Sequence, residues 1–160
     1  MVKDILLLGN EELYLVSEKV EQGELENLKC VVEDLHDTLM DYRKRYGAGR
    51  AIAAPQIGVK KRILYMNIGE PVVFINPVLE YLSDEKMEVL DDCMSFPGLY
   101  VRVVRYKRCR IHYFDMHWNK CVMELSDDLA ELFQHEYDHL DGILAPMRAI
   151  DNKSFVLHSI

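Results

Sequence analysis

The chain has 160 residues, the size of one domain, and 49% of them are apolar, enough to bury a core. Its formal net charge of −8 argues against a nucleic-acid binder, general or sequence-specific, which would be basic. The amino-terminal apolar run, Ile5 to Leu8, is too short for a signal-peptide core or a membrane span, so a cytoplasmic protein is expected.

The first long element predicted is an amphipathic helix from about Gly23 to Tyr46. Leu25, Leu28, Val32, Leu35, Leu39 and Tyr42 recur at three- and four-residue steps. Arg43, Lys44 and Arg45 suit the carboxyl end of the helix dipole, and Gly47 is placed to stop it. Short β-like runs follow: Arg62 to Ile68, Val72 to Pro77, Lys86 to Asp92, Leu99 to Tyr106, Arg108 to Phe114 and Lys120 to Leu125. A second helix is predicted to begin near Ser126-Asp127-Asp128, with capping side chains, and to end at Gly142. The tail beyond Pro146 shows no further long helix, and the fold class read from this order is α+β. No repeat or linker divides the chain, so one domain over 1–160 is expected.

The second helix carries QHEYDHLDG, Gln134 to Gly142. Residues four apart share a helical face, so His135 and His139 can point two imidazoles at one ion. Glu136 sits beside them, within reach of a water on that ion, the arrangement of HExxH metallohydrolases. The plain alternative is a solvated polar helix. A catalytic site needs a third protein ligand and an open position. The HExxHxxGxxH continuation fails at Ala145, and no glutamate follows Glu136, so the third ligand is sought upstream. Cys93, in DDCMSFPG at the end of a strand, offers a thiolate. Cys30, Cys109 and Cys121 lie within helix or alternating strand and read as free thiols without a metal role. A third stretch, GRAIAAPQIG from Gly49 to Gly58, brings small residues and the Gln56 amide, a possible oxyanion donor; taken alone it equally suits a tight packing turn.

In this order the three stretches resemble the peptide deformylase family, which carries GxGLAAxQ(V/I)G, EGCLS and QHExDHLxG. The resemblance spans nearly the whole chain. It implies antiparallel strands around a central HExxH helix, with an amphipathic helix before them. It implies a metal site of Cys93, His135 and His139 holding one divalent ion, ferrous iron in the cell, with zinc, nickel or cobalt possible in a purified sample. The implied reaction removes the formyl group from N-formylmethionyl peptides or nascent chains during protein biosynthesis, releasing formate. Glu136 would carry the proton, while the Gln56 side chain and the Met94 backbone N–H would hold the oxyanion. Arg105 would support the site through Asp138.

The departures from the family pattern cluster at the site. Arg50 stands where an apolar residue usually lies near the methionine pocket, Ala51 replaces a glycine, and Asp92 replaces a glycine before the metal cysteine. Asp91 shortens a glutamate, and Tyr100 stands where many members have an arginine. Arg50, Ala51, Ile52, Asp92 and Tyr100 are the candidate substrate contacts, and Arg50 is expected to approach Asp92 at the pocket rim. The cationic run Val101 to Arg110 reads as the wet face of two strands or as a dock for an acidic partner such as ribosomal RNA. Family members that act on ribosomes often use a longer carboxyl-terminal segment, so at most a transient ribosome contact is expected. Two other readings stay open: a related hydrolase of another N-acylated substrate, and a catalytically weak, metal-containing peptide binder.

Overall fold

The computed structural model describes residues 1–159; Ile160, the last residue of the domain expected over 1–160, lies outside them. The amphipathic stretch forms helix α1, Leu25–Tyr46, entered through a 3-10 turn at Gln22–Glu24. Its stripe buries Leu28, Leu35, Thr38 and Leu39. Gly47 closes the helix at φ 68°, donating its N–H to the Arg43 carbonyl. Arg43 then turns back, and its guanidinium donates to the carbonyls of Gly49 and Asn67. That contact holds the loop between helix and site against the neighbouring strand.

The strands are β1 (Ala51–Ala53), β2 (Ile63–Asn67), β3 (Pro71–Tyr81), β4 (Lys86–Asp91), β5 (Leu99–Tyr106), β6 (Arg108–Phe114), β7 (Lys120–Ser126) and β8 (Phe155–Leu157). They form two antiparallel sheets, ordered β1-β2-β3-β6-β7 and β4-β5-β8. Helix α2, Asp128–Leu140, packs against β1 and β7 of the first sheet and β5 of the second. Phe133 and Leu140 face the first sheet, where they join Leu64, Phe74 and Ile111 in a fully enclosed apolar cluster. Toward the second sheet, Gln134 donates from Nε2 to the Tyr106 carbonyl at 2.7 Å and accepts the Tyr106 N–H at 2.9 Å. The first residue of the motif thus clamps the helix to the end of β5. The result is the expected α+β fold, antiparallel strands around a central HExxH helix.

The differences from the sequence reading are local. Strand β3 runs past Pro77 to Tyr81 because Asn76, at φ 50°, begins a bulge that shifts the register to β6 between Ile75 and Val78. A bulge is one of the few strand positions that tolerates proline. The Asn76 amide also bonds both the N–H and the carbonyl of Val20, each at 2.8 Å. Asp127 precedes α2 but makes no capping bond with its side chain, because φ 56°, ψ −124° holds it out of cap geometry. Strands β1 and β8, three residues each, fall below the length at which alternation can be read. Among the described residues no helix is long and apolar enough to cross a membrane.

Candidate metal centre

Three segments converge on one point. Helix α2 presents His135 and His139 from successive turns, the loop after β4 presents Cys93, and a 3-10 turn at Ala54–Ile57 presents Gln56. The ligand atoms of Cys93, His135 and His139 lie within 4.8 Å of one another, and all three residues are buried. Cys93 Sγ stands 3.4 Å from His139 Nε2. Metal bonds of about 2.3 Å to sulfur and 2.0 Å to nitrogen place tetrahedral ligands roughly 3.3–3.6 Å apart. His135 engages Asp91 through Nδ1 at 3.1 Å, which leaves its Nε2 buried without a partner. A buried nitrogen in that state is costly unless something binds it. Separation, donor set and orphaned nitrogen all fit a single divalent ion.

The thiol side is built from short-range geometry. Ser95 donates its N–H to Cys93 Sγ at 3.4 Å, and Gln56 Nε2 approaches the same sulfur at 3.5 Å. Both contacts fix the direction of the sulfur. Gln56 is held at each end: Oε1 accepts the Ala53 N–H at 2.9 Å and Nε2 donates to Ser95 Oγ at 3.0 Å. Ala54 and Pro55 are buried beneath it, so the segment is both a packing turn and the mount for the amide. Among the described residues the Met94 N–H has no hydrogen-bond acceptor in the protein.

Behind the histidines runs a buried chain of charges. Arg105, 4% exposed, donates to Asp91 at 2.6 Å and to Asp138 at 2.7 Å. Asp138 also takes two bonds from Arg148, at 2.6 and 3.0 Å. Burial alone would raise the pKa of Asp91, but the His135 bond and the Arg105 charge pull it below the usual carboxylate range. Nearby Glu131 is raised to about 8, by burial first and then by the adjoining Asp91 carboxylate. For His135, burial disfavours the charged ring, but Cys93 and Asp91 outweigh it and raise the pKa; for His139, burial and the charges of His135 and Arg105 lower it.

Glu136 is 5% exposed, and its Oε2 has no hydrogen-bond partner. Burial pushes its pKa up to about 7, with the charges of Asp91 and Asp92 adding to the rise. It lines a cavity of about 380 Å³ together with Arg50, Ala51, Asp92, Cys93, Met94 and Leu132. Strand β1 borders this space as the edge strand of its sheet, paired only with β2.

The candidate substrate contacts divide. Arg50, Ala51 and Asp92 line this cavity. Tyr100 lines an adjoining one of about 320 Å³ that also touches Asp92 and Cys93. The Ile52 side chain is fully buried in the core against α1, because alternation along β1 turns it away from the cavity, so only its backbone lies on the strand edge. The expected approach of Arg50 to Asp92 is replaced. Arg50 reaches instead to Asp128, in the first turn of α2, at 3.3 Å. Sequence reasoning did not assign roles to Asp91, Ser95, Glu131 or Arg148. The first two lie two residues either side of Cys93, a spacing that could have drawn attention to them.

A cysteine sulfur, two imidazoles and a buried carboxylate at the edge of an open cavity define a metal-dependent hydrolase on an HExxH helix. The family model described as Polypeptide deformylase matches residues 2–155. The chain belongs to the peptide deformylase family. It is 39% identical over 145 residues to the peptide deformylase of Pseudothermotoga lettingae, covering 90% of this chain and 81% of that one. The crystal structure of peptide deformylase from Thermotoga maritima matches with a TM-score of 0.85 at 31% identity, covering 94% of this chain and 99% of that one. The Ehrlichia chaffeensis peptide deformylase matches at 0.86 and 30% identity, covering 96% and 91%.

Proposed function

We propose that this chain hydrolyses the N-formyl amide of peptides and nascent chains in the cytoplasm, N-formylmethionyl chains being the substrates its family implies, with formate and a free amino terminus as products. The observation that carries this reading is the unpartnered Oε2 of Glu136, set in the cavity wall beside Cys93. A site that held an ion only for stability would need no buried carboxylate facing open space.

Cys93, His135 and His139 would hold one divalent ion, ferrous iron in the cell and zinc, nickel or cobalt in a purified sample. When bound, the ion supplies Lewis acidity toward the formyl carbonyl and lowers the pKa of a water. The substrate backbone lies along the free edge of β1, as an added strand would. That places the formyl oxygen toward the Met94 N–H and Gln56 Nε2, two donors held before the reaction begins. Glu136, with its pKa near 7, accepts a proton from the attacking water and returns it to the leaving amine. Asp91 fixes the tautomer and direction of the His135 ring, and Arg105, bridging Asp91 and Asp138, keeps Asp91 charged. The cations of the Val101–Arg110 run support its reading as a wet sheet face. Arg102, Lys107 and Arg110 each pair with a glutamate, at 3.2, 3.3 and 2.5 Å, and Arg105 is buried, which leaves little for a ribosome contact.

The test is formate release from an N-formylmethionyl peptide by protein purified without oxygen and loaded with iron, nickel or zinc. Glu136→Gln should keep the metal and lose about 10²–10⁴ in rate, while Cys93→Ala loses both. Equal rates for wild type and Glu136→Gln would remove the carboxylate from the mechanism.

A further inference from the structure

The first sheet has two free edges. One is β1, beside the metal cavity; the other is β7, which among the described residues pairs only with β6. In an antiparallel ladder, hydrogen-bonded and non-bonded pairs alternate. At one end of the β6–β7 ladder the Asp115 N–H bonds the Asn119 carbonyl, and at the other the Asp127 N–H bonds the Lys107 carbonyl. Both contacts join odd-numbered residues, and the register between them runs without a bulge from Phe114 opposite Lys120 to Arg108 opposite Ser126. The odd-numbered residues of β7 therefore bond to β6. Lys120, Val122, Glu124 and Ser126 turn their N–H and carbonyl groups to the open side.

Such an edge is normally blunted by a proline, a bulge or a lysine. Strand β7 has neither proline nor bulge, and its one lysine has a complement in the same strand. Lys120 and Glu124 stand two residues either side of Val122. Two-fold antiparallel pairing with a second copy, centred on Val122, sets Lys120 opposite Glu124 of that copy at both ends, and Val122 opposite Val122. Every residue so paired turns its bonding groups outward, so each pair exchanges backbone hydrogen bonds. Centring on Cys121 instead would set Lys120 against Val122, and centring on Met123 would set Glu124 against Val122. In either case the charges lose their match.

The side chains agree with the Val122-centred register. Val122 is 60% exposed, in a row with His112 and the 58% exposed Val78 on the outer face of the sheet. Lys120 is exposed, with no ion-pair partner among the described residues. Glu124 takes both bonds from Arg110 on Oε1, which leaves Oε2 for a second cation. On the inner face, Met123 and Leu125 sit half-buried at the margin of the core, where an added strand would cover them.

We propose that β7 is an interface between two copies of this chain, which join in the Val122-centred register to form one continuous sheet. Opposite charges facing each other across strands favour that register over its neighbours. Strand β1 lies at the far end of each half, so the edge beside the metal cavity stays open, and the proposal does not depend on the hydrolase reading. Three paired residues in each copy make a small interface, so the dimer is weak, with a Kd of about 10–100 μM.

The experiment is sedimentation velocity of the metal-loaded protein at concentrations from about 2 to 200 μM, spanning that range. Wild type is expected to shift from monomer to dimer. Val122→Pro removes an N–H that points away from β6, so the variant keeps its own sheet and should stay monomeric. Lys120→Glu and Glu124→Lys should each weaken the dimer by roughly tenfold or more, because like charges then face each other twice. An equimolar mixture of these two variants should dimerise again, since each supplies the charges that the other lacks. Wild type that stays monomeric throughout overturns the proposal, and so does a dimer that survives Val122→Pro. A mixture of cooperatively melting charge variants that remains monomeric where wild type dimerises overturns the register.

Discussion

Replacing Arg105 by methionine tests whether the buried charges behind the histidines sustain the site. The side chain is 4% exposed and donates to two carboxylates that are themselves 2% and 7% exposed, Asp91 and Asp138. Methionine fills much of the same volume but leaves the carboxylates without their shared cation. Removing one partner of a buried ion pair costs about 3–5 kcal/mol. Asp138 keeps both bonds from Arg148, so the lower end, about 3 kcal/mol, applies. For a chain of this length that is a fall in Tm of roughly 6–12 °C. The same change weakens metal binding. Asp91 without Arg105 holds a proton more readily, which loosens its grip on His135 Nδ1, and outer-shell losses of this kind cost about 10–100-fold in affinity. Thermal melts and chelator competition on Arg105→Met and wild type measure both effects. Adding Asp91→Asn should recover part of the stability, because it removes the carboxylate left unpaired, but not the affinity. A single variant that melts within about 2 °C of wild type and binds metal equally well would refute the reasoning.

Gly142→Ala should destabilise by about 3 kcal/mol or more, read in urea unfolding. The new Cβ would lie 2.3 Å from the Tyr14 carbonyl oxygen and 2.5 Å from its carbon, at φ +72°, so left-handed strain and a backbone clash add. Glu131 binds its proton more tightly folded, at about 8, than unfolded, near 4.5. Its contribution is therefore fully present below about 4.5 and lost as pH rises toward 8. Tm of the metal-loaded protein should decline across that window, and Glu131→Gln should flatten the decline. Chelation should lower Tm, because a ligand at 100 times its Kd adds about 2.7 kcal/mol to the folded state. Cys93→Ala should make Tm insensitive to added metal.

The parts of the molecule that sequence reveals are those in which local spacing dictates geometry. His135 and His139 share a face because a helix turns once in about 3.6 residues, whatever surrounds it. The α1 stripe and the alternating strands are legible for the same reason. Pairings across the chain are another matter. Arg50 and Asp92 lie on adjoining motifs and carry opposite charges, so the sequence alone pairs them. Yet 78 residues separate Arg50 from Asp128, and only the packing of α2 beside β1 brings those two together. Asp91 is similar: its position two residues before Cys93 is visible, but its bond to His135 depends on how β4 meets the helix, 44 residues on. The metal ligands could be chosen because each candidate could be weighed by residue type and motif. The pocket could not, because its character is set by where a long guanidinium finds its partner. Arg50 pairs with Asp128, and Asp92, on the same cavity, has no ion-pair partner among the described residues. That ion pair depends on how α2 packs beside β1, while two of the three metal ligands are set by the turn of a single helix.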